Sequence, residues 1–432
     1  MWTTIVTRSC QSRLPEGYSV RILLITLNYL PESTSIGPYS ADLAQYLQAR
    51  GHMVQVLTAF PLAPQWRIWD GYRGKRWMRE TINGVPVLHT WIYMPAHPKK
   101  SIQRILFDLS YALTAFVGGM FAGRPDLIVA VSPPLQLGLT AWLLGVVKRA
   151  PFFFHVQDLV PDAAVLTGML REGSRPVQIA RAIEQFVYAR ARGIGVICDG
   201  FAQNLLAKGI APGKVALLPN SIDLTGFALK PRGNEFRKQQ GVAPDEWLVM
   251  YSGSVALKQG LHTFVQAAAQ FLPDDGVRFL LVGEGPYRDE LEAQANALHL
   301  SHLRLLPLQP RATLAAQLCA ADVLVITQRR AVTDVVFPGK LLYYMAAGRP
   351  MVAAVSADSE TGRFITQNQV GTVVSPEDPH ALADAIRYLK QHRDEAHRLG
   401  QNGRRVVEEQ FDRRKVLARF ADHLESLVTR PS

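Results

Sequence analysis

The segment Thr333–Val352, TDVVFPGKLLYYMAAGRPMV, combines residue types that suit an anion-binding site. Pro338 fits the first turn of a helix, because its missing backbone N–H is not needed there, and Gly348 predicts the helix end. Gly339 and Lys340 then lie at the helix N-terminus, where free N–H groups, the helix dipole and the lysine charge favour a phosphate. An ordinary buried helix of an α/β domain explains the segment equally well.

Three more glycine-containing loops follow predicted strands. Gly37 precedes a helix after the first strand, and YSGSVALKQGL places Gly253 at a strand end and Lys258 in the following loop or first turn. In LVGEGP, Glu284 lies between two glycines, where its carboxylate could bind hydroxyls or a base edge. Each loop is also explained by turn chemistry alone.

His155 ends the apolar run PFFFHV and lies three residues before Asp158. An imidazole and a carboxylate are therefore predicted near the carboxyl end of one strand. A single histidine there is often structural. No carboxylate placed for a double displacement can be identified from the sequence.

Short apolar runs alternate with stretches long enough for crossover helices, which predicts parallel α/β structure. The polar, turn-rich passage after Leu218 interrupts the pattern, and this predicts two domains. We expect an extension over residues 1–20, a first domain over 21–218, a linker and domain start over 219–246, a second domain over 247–378, and C-terminal helices over 379–432. The predicted strands are Arg21–Leu27, Val54–Ala59, Val85–Trp91, Leu127–Val131, Phe152–Val156, Ile194–Ile197, Trp247–Ser252, Phe279–Val282, Leu303–Leu306, Val323–Thr327, Met351–Val355 and Thr372–Val374.

Composition narrows the class of protein. The three cysteines among 432 residues are scattered, which argues against disulfides and a zinc site. No stretch has the pattern of a signal peptide or a membrane span. The net charge of +11 suggests an anionic partner, which could be nucleic acid, anionic lipid or a phosphorylated small molecule.

The segment Trp66–Arg79 interleaves aromatic residues, including Trp66 and Trp69, with five basic residues. This pattern suits a membrane interface or stacking on bases, and it also suits a basic loop whose tryptophans pack into the core. The apolar stretch Ser101–Ala122 predicts a helix that either packs on the sheet or lies in the membrane interface.

Six motifs in this order resemble a retaining glycosyltransferase of family 4, in the GT-B class. They are SIGPYSADLAQYLQARGHMVQVLT, HVQDLVPD, PNSID, YSGSVALKQGL, LVGEGP and FPGKLLYYMAAGRPMVA, and the resemblance extends from about Val20 to Thr429. It implies two doubly wound Rossmann-like domains facing a central cleft, with a C-terminal helical tail. FPGKLL, HVQDLVPD and the Ala-Gly-Arg-Pro ending are most similar to bacterial exopolysaccharide enzymes, in particular the colanic acid fucosyltransferase-like group.

The resemblance implies roles for individual residues. Lys258, with Lys340 second, would stabilise the leaving diphosphate, while His155 would contact the donor sugar and Asp158 would orient the acceptor or support His155. Asp334 is the nearest substitute for a family glutamate that contacts the sugar. The implied donor-binding residues are Gly37, Gly253, Ser254, Lys258, Gly283, Glu284, Gly285, Val335, Pro338, Gly339, Lys340 and Leu341, and the acceptor-binding residues are Asp158, Trp66 and Trp69.

Three positions depart from the family pattern. Ser254 stands where many members carry an arginine, and Val335 and Tyr343 stand where members carry paired glutamates. These departures imply a donor pocket unlike that of common glucosyl or mannosyl enzymes. A deoxy-sugar such as L-fucose, supplied as GDP-fucose, is compatible with the apolar residues.

The reaction that the resemblance implies needs a nucleotide-diphosphate sugar, with a GDP-sugar favoured, and neither a metal nor a cofactor. The implied acceptor is a lipid-linked oligosaccharide of the undecaprenyl diphosphate type. We therefore expect a cytoplasmic protein in peripheral contact with the inner membrane, and we expect no nucleic acid among its partners. Two alternatives remain at this stage: a nucleotide-sugar epimerase or hydrolase of the same architecture, and a noncatalytic nucleic-acid-binding protein.

Overall fold

The computed structural model describes residues 19–33, 35–63, 65–96, 101–166, 170–330 and 339–429. The chain forms two compact units. The first contains the residues through Asn220 and those from Val416 onward, and the second contains Ser221–Lys415. The C-terminal helices are therefore divided between the units.

The first unit is built on an eight-stranded sheet in the order β3-β4-β2-β1-β5-β6-β7-β8. All neighbouring strands are parallel except β3 and β4, which pair antiparallel. The strands are β1 (Arg21–Ile25), β2 (Met53–Ala59), β3 (Trp77–Ile82), β4 (Val85–Thr90), β5 (Leu127–Ser132), β6 (Phe152–Val156), β7 (Gly193–Val196) and β8 (Val215–Leu217).

Helices cover this sheet because alternate strand residues carry apolar side chains to both faces. One face packs against the first helix and the last helix of the chain, and Phe153 contacts Phe420 there with ring centroids 5.8 Å apart. The helices of this unit are α1 (Gly37–Ala49), α2 (Ser101–Met120), α3 (Gln136–Lys148), α4 (Val160–Leu166), α5 (Arg175–Arg190), α6 (Asp199–Ala207) and most of α15 (Arg413–Thr429).

The second unit has a six-stranded parallel sheet in the order β11-β10-β9-β12-β13-β14. Its strands are β9 (Trp247–Ser252), β10 (Val277–Val282), β11 (Leu303–Leu306), β12 (Val323–Thr327), β13 (Met351–Ala354) and β14 (Gly371–Val374). Its helices are α7 (Glu235–Gln239), α8 (His262–Ala268), α9 (Arg288–Ala297), α10 (Leu314–Ala320), α11 (Gly339–Ala346), α12 (Glu360–Asn368), α13 (Pro379–Gln391) and α14 (Arg393–Val406).

The strand order of each sheet predicts where a ligand binds. In a doubly wound sheet, the crevice forms beyond the carboxyl ends of the two central strands from which the chain winds in opposite directions. These strands are β1 and β5 in the first unit and β9 and β12 in the second. The loop after β1 leads to Gly37 and the loop after β9 contains YSGSVALKQGL, whereas HVQDLVPD and LVGEGP lie at the ends of the neighbouring strands β6 and β10.

The predicted α/β class is confirmed, and four strands, including Phe152–Val156 and Trp247–Ser252, have the predicted bounds. Strands β3 and β8 were not predicted. β3 is an antiparallel edge strand in which exposed residues alternate with half-buried ones, so it lacks the apolar run of a buried parallel strand. β3 includes the last three residues of the segment Trp66–Arg79, so that segment is a loop followed by the start of a strand. β8 is only three residues long.

Candidate functional site

Two lysines lie close together at the carboxyl edge of the second sheet, beside its central strands. β9 ends at Ser252, and the loop after it runs from Gly253 to a 3₁₀ turn in which Lys258 is exposed. α11 begins at Gly339, as predicted, so Lys340 lies in its first turn. A Cβ atom on Gly253 would lie 3.1 Å from Lys340 Nζ, so the loop after β9 touches the start of α11.

Lys340 is held by neutral groups. Its Nζ donates to the hydroxyl of Tyr251 at 2.6 Å and to Oε1 of Gln259 at 3.3 Å, and it lies 4.0 Å from the centroid of the Tyr251 ring. Burial, and to a smaller extent the charge of Lys258, lowers the pKa of Lys340 to about 7. Among the described residues, neither lysine pairs with a carboxylate. A bound dianion would therefore supply the negative charge that this pair lacks.

The two glycines of LVGEGP are required by close backbone packing. A Cβ atom on Gly283 would lie 1.9 Å from the carbonyl oxygen of Gly253, and one on Gly285 would lie 2.1 Å from that of Val255. The Val255 N–H donates to the Glu284 carbonyl at 2.9 Å, which fastens this loop to the loop after β9. The Glu284 side chain is exposed beside that loop. Packing explains the glycines, and the carboxylate stays a candidate for binding hydroxyls.

Other predicted donor-binding residues have different surroundings. Ser254 is exposed, and its carbonyl accepts a hydrogen bond from Tyr251 at 2.7 Å. The Leu341 side chain is fully buried, so only its backbone could contact a donor. Tyr343 was not predicted to bind the donor and stands where family members carry a glutamate; its ring centroid lies 6.0 Å from that of Phe227.

The predicted contacts of Asp334, Val335 and Pro338 lie outside the described residues. Their roles stay predictions.

In the first unit, Gly37 begins α1, as predicted. A Cβ atom there would lie 3.2 Å from the carbonyl oxygen of Glu32, so a side chain would crowd the preceding loop. The buried Glu32 carboxylate fixes a further loop, since its Oε1 accepts from the N–H groups of Leu62 and Ala63 at 2.6 Å each. Burial raises the pKa of Glu32, and these hydrogen bonds oppose the rise. The sequence pattern gave no signal for this role of Glu32.

His155 is buried near the end of β6. Its Nε2 lies 3.2 Å from the carbonyl oxygen of Leu218, which can only accept, so Nε2 is the protonated nitrogen. The ring packs edge-on against Phe420 at 4.9 Å between centroids, and burial lowers the pKa of His155 to about 4. The imidazole is therefore neutral near pH 7 and suited to hydrogen bonding rather than to carrying charge. Its predicted contact with a donor sugar is not tested by this geometry.

Two polar residues after β6 and β8 meet at the carboxyl edge of the first sheet. Gln157 is buried and accepts a hydrogen bond at 2.9 Å from the Asn220 side chain, while its backbone N–H donates to Ser132. Asp158, the predicted acceptor-binding residue, follows and is exposed. Sequence reasoning missed Gln157 and Asn220. Gln157 directly follows the predicted strand Phe152–Val156, which was the available signal, whereas Asn220 lies three residues after β8, a strand that was not predicted.

Trp66 and Trp69 are held against the first unit. The Trp69 Nε1–H donates to the Ala63 carbonyl at 3.2 Å. The Trp66 ring lies 5.4 Å from that of Phe107 and 4.9 Å from Cζ of Arg104, both on α2. Trp66 remains 38% exposed, so its ring can still meet a ligand. Their predicted role in acceptor binding stays a prediction.

Comparison with known proteins follows the division into two units. Residues 34–221 match the model of a glycosyl transferase 4-like domain, and residues 233–406 match that of glycosyl transferases group 1. The chain is 30% identical to the putative colanic acid biosynthesis glycosyl transferase WcaI of Escherichia coli K12, over 94% of this chain and 100% of that protein. It is 24% identical to the probable glycosyltransferase WbjE of Pseudomonas aeruginosa, over 71% of this chain and 76% of that protein.

Solved structures share the fold. Sucrose-phosphate synthase from Thermosynechococcus elongatus superposes with a TM-score of 0.71 at 20% identity, covering 94% of this chain and 98% of that one. HepE from Anabaena, solved in complex with UDP, superposes with a TM-score of 0.70 at 18% identity, covering 94% of this chain and 100% of that one. The chain has two doubly wound units, matches both family models and is similar to WcaI over its full length. It therefore belongs to the glycosyltransferases of the GT-B fold.

Proposed function

We propose that this glycosyltransferase moves a sugar from a nucleoside-diphosphate sugar to a lipid-linked oligosaccharide during assembly of a bacterial exopolysaccharide. The observation that carries the donor class is the pair Lys258 and Lys340, which lies where a doubly wound sheet binds ligands and has no carboxylate partner among the described residues. The name of WcaI, which refers to colanic acid biosynthesis, supports the exopolysaccharide pathway.

In this proposal the two lysines act on the departing diphosphate. Negative charge grows on that group as the glycosidic bond breaks. Ammonium groups already positioned beside it stabilise that charge without the reorganisation that water would need, and the diphosphate itself favours the charged form of Lys340. Retention of the anomeric configuration and a GDP-fucose donor are the finer parts of the proposal. They rest on the motif resemblance and on the apolar residues Val335 and Val336.

The proposal places the enzyme at the cytoplasmic face of the inner membrane, where a lipid-linked acceptor is held. Aromatic and basic residues of Trp66–Arg79 support this contact, because such residues favour the interface of an anionic membrane.

Substitution of Lys258 by alanine tests the donor site. We expect transfer to fall about a hundredfold or more, the range measured when one preorganised charge-stabilising donor is removed. Lys238→Ala is the matched control, because Lys238 is also an exposed lysine of the second unit but lies on α7, outside the site. Equal turnover of Lys258→Ala and Lys238→Ala would reject the assigned role.

Donor identity and reaction class need separate measurements. Thermal stabilisation by nucleoside diphosphates and their sugars ranks the donors, because a ligand that binds only the folded state raises its stability. A preference for UDP over GDP would reject the fucosyl part.

Donor consumption without any acceptor, with no product formed when acceptor is added, would indicate a hydrolase. NMR of the anomeric centre of the product tests whether its configuration is retained.

A further inference from the structure

Helix α2 presents apolar residues in two directions. Phe107, Tyr111 and Ala115 are fully buried against the sheet. The opposite side of the helix is also apolar and is open to solvent, with Leu113 65% exposed. The exposed apolar residues of this side recur at helical spacing, and they are Ile102, Ile105, Leu106, Leu109, Leu113, Val117 and Met120. Phe121, directly after the helix, is also exposed.

Helix α3 extends this surface. The two helices touch closely, since a Cβ atom on Gly119 would lie 2.5 Å from Cδ1 of Leu144. Leu143, Val146 and Val147 of α3 are exposed. We call the exposed apolar residues of α2 and α3 the apolar face. Monomeric soluble proteins seldom leave so large a set of apolar side chains uncovered, so a partner is indicated.

Tryptophans and cations border the apolar face. Trp77 and Trp91 are 42% and 45% exposed, and the Trp77 ring would lie 3.2 Å from a Cβ atom on Gly118. Lys148 at the end of α3 donates to the carbonyls of Met120 and Ala122, so its charge lies at the end of α2. In α2 and α3 together, Asp108 is the single acidic residue. Trp beside cations is the composition that favours an anionic bilayer surface.

A cavity of about 720 Å³ opens beside the apolar face. It lies at the amino ends of β6 and β7, the edge of the sheet opposite the candidate site, and Val146 belongs both to its wall and to the apolar face. Its lining includes Arg190, Arg192 and Lys214, and none of its lining residues is acidic. Trp142 and Leu427 form part of its apolar wall. Cations above an apolar wall suit the phosphate and first methylenes of an anionic lipid.

No described helix is both long and apolar enough to cross a membrane, so this surface would lie on the bilayer. We propose that the apolar face rests on an anionic phospholipid bilayer, with the headgroup of one anionic lipid in the cavity. The inference rests on the membrane contact in the proposed function and names the surface that makes it. It does not depend on which sugar is transferred.

Vesicle co-sedimentation of the full-length protein tests the proposal. We expect partition onto vesicles of phosphatidylcholine with about one third phosphatidylglycerol, and weaker partition onto phosphatidylcholine alone. The double variant Leu109→Glu with Leu113→Glu should bind the anionic vesicles at least tenfold less. Leu308→Glu is the matched control, because Leu308 is also 65% exposed but belongs to the second unit. Equal partition of the double variant and the control would overturn the proposal.

The cavity is tested separately. Arg190→Ala should reduce the preference for anionic over neutral vesicles, whereas Arg405→Ala, at an exposed site of α14, should not. An unchanged preference in Arg190→Ala would overturn the headgroup site.

Two controls separate this proposal from others. Light scattering without lipid would overturn the bilayer assignment if the wild-type protein were a dimer that the Leu109 and Leu113 substitutions dissociate. Stabilisation of the double variant by nucleoside diphosphate should equal that of the wild type. If Lys258→Ala loses stabilisation by nucleoside diphosphate but still binds vesicles, the donor site and the membrane surface are separate.

Discussion

Substitution of Lys340 by methionine separates the folding cost of this lysine from its ligand-binding role. The change keeps much of the side-chain volume and removes the charge that burial and Lys258 disfavour. A pKa lowered from 10.5 to about 7 corresponds to roughly 5 kcal/mol, at ~1.4 kcal/mol per pKa unit. The variant also loses the hydrogen bonds to Tyr251 and Gln259, each worth about 1 kcal/mol. The variant should therefore be the more stable protein at pH 6.5.

The pH dependence is the sharper test, because it isolates titration of Lys340. Between pH 7 and 10.5 the unfolded chain holds a proton on this amine that the folded protein has released. The free energy of unfolding of the wild type, relative to Lys340→Met, should then rise by ~1.4 kcal/mol per pH unit in this window. From pH 7.5 to 9 the gain is roughly 2 kcal/mol, and below pH 7 the difference should be constant.

Urea denaturation of both proteins at several pH values between 6 and 9 measures this difference. A saturating nucleoside diphosphate should flatten the wild-type slope, because the bound dianion favours the charged amine and raises its pKa. The variant should gain no comparable stabilisation from the ligand. Parallel pH profiles for the two proteins without ligand would refute the assignment of a buried Lys340 whose pKa is lowered to about 7.

Three further outcomes follow from single residues. Gly283→Ala should lower stability by roughly 2 kcal/mol or more in thermal unfolding, because its Cβ atom would lie 1.9 Å from a backbone oxygen, whereas Gly213→Ala, with nothing within 4 Å, should not. Burial raises the pKa of Asp108 to about 6, so the folded state loses stability as pH rises from about 4 to 6, and Asp108→Asn should be about 1–3 kcal/mol more stable at pH 7.5 but not at pH 4. Because the pKa of His155 is about 4, the transfer rate should show no inflection from this residue between pH 5 and 8, and the profile of His155→Gln should keep its shape.

The fold was predictable because parallel strands buried on both faces leave a strong signal. Runs such as PFFFHV and WLVMYS are nearly continuous in apolar residues, and their bounds follow directly. The edge strand β3 carries no such run, since every second residue is exposed and none is fully buried. Helix α2 shows a different limit: an apolar helix was predicted there, but the sequence does not tell which of its apolar sides meets the sheet and which is exposed.

The candidate site was predictable where local rules apply. Glycine-opened helices and a lysine in a first helical turn are local patterns, so Gly37, Gly339 and Lys340 could be selected. Residues whose roles depend on distant partners could not. Glu32 binds the backbone of a loop thirty residues later, and Gln157 meets Asn220 across 63 residues.

Lys340 also shows why the site can be distinguished from the surrounding core. Selection for stability alone would favour methionine over an ammonium group placed against a tyrosine ring and an amide, because the desolvation cost of the charge exceeds the gain from the two hydrogen bonds. Every other feature of α11, from its glycine start to its buried Leu342 and Met345, agrees with ordinary packing. A single residue that opposes stability within an otherwise consistent element points to function. Lys258 and Lys340 have no carboxylate partner within the described residues, so in the proposed function donor binding should be the event that restores the full charge of Lys340.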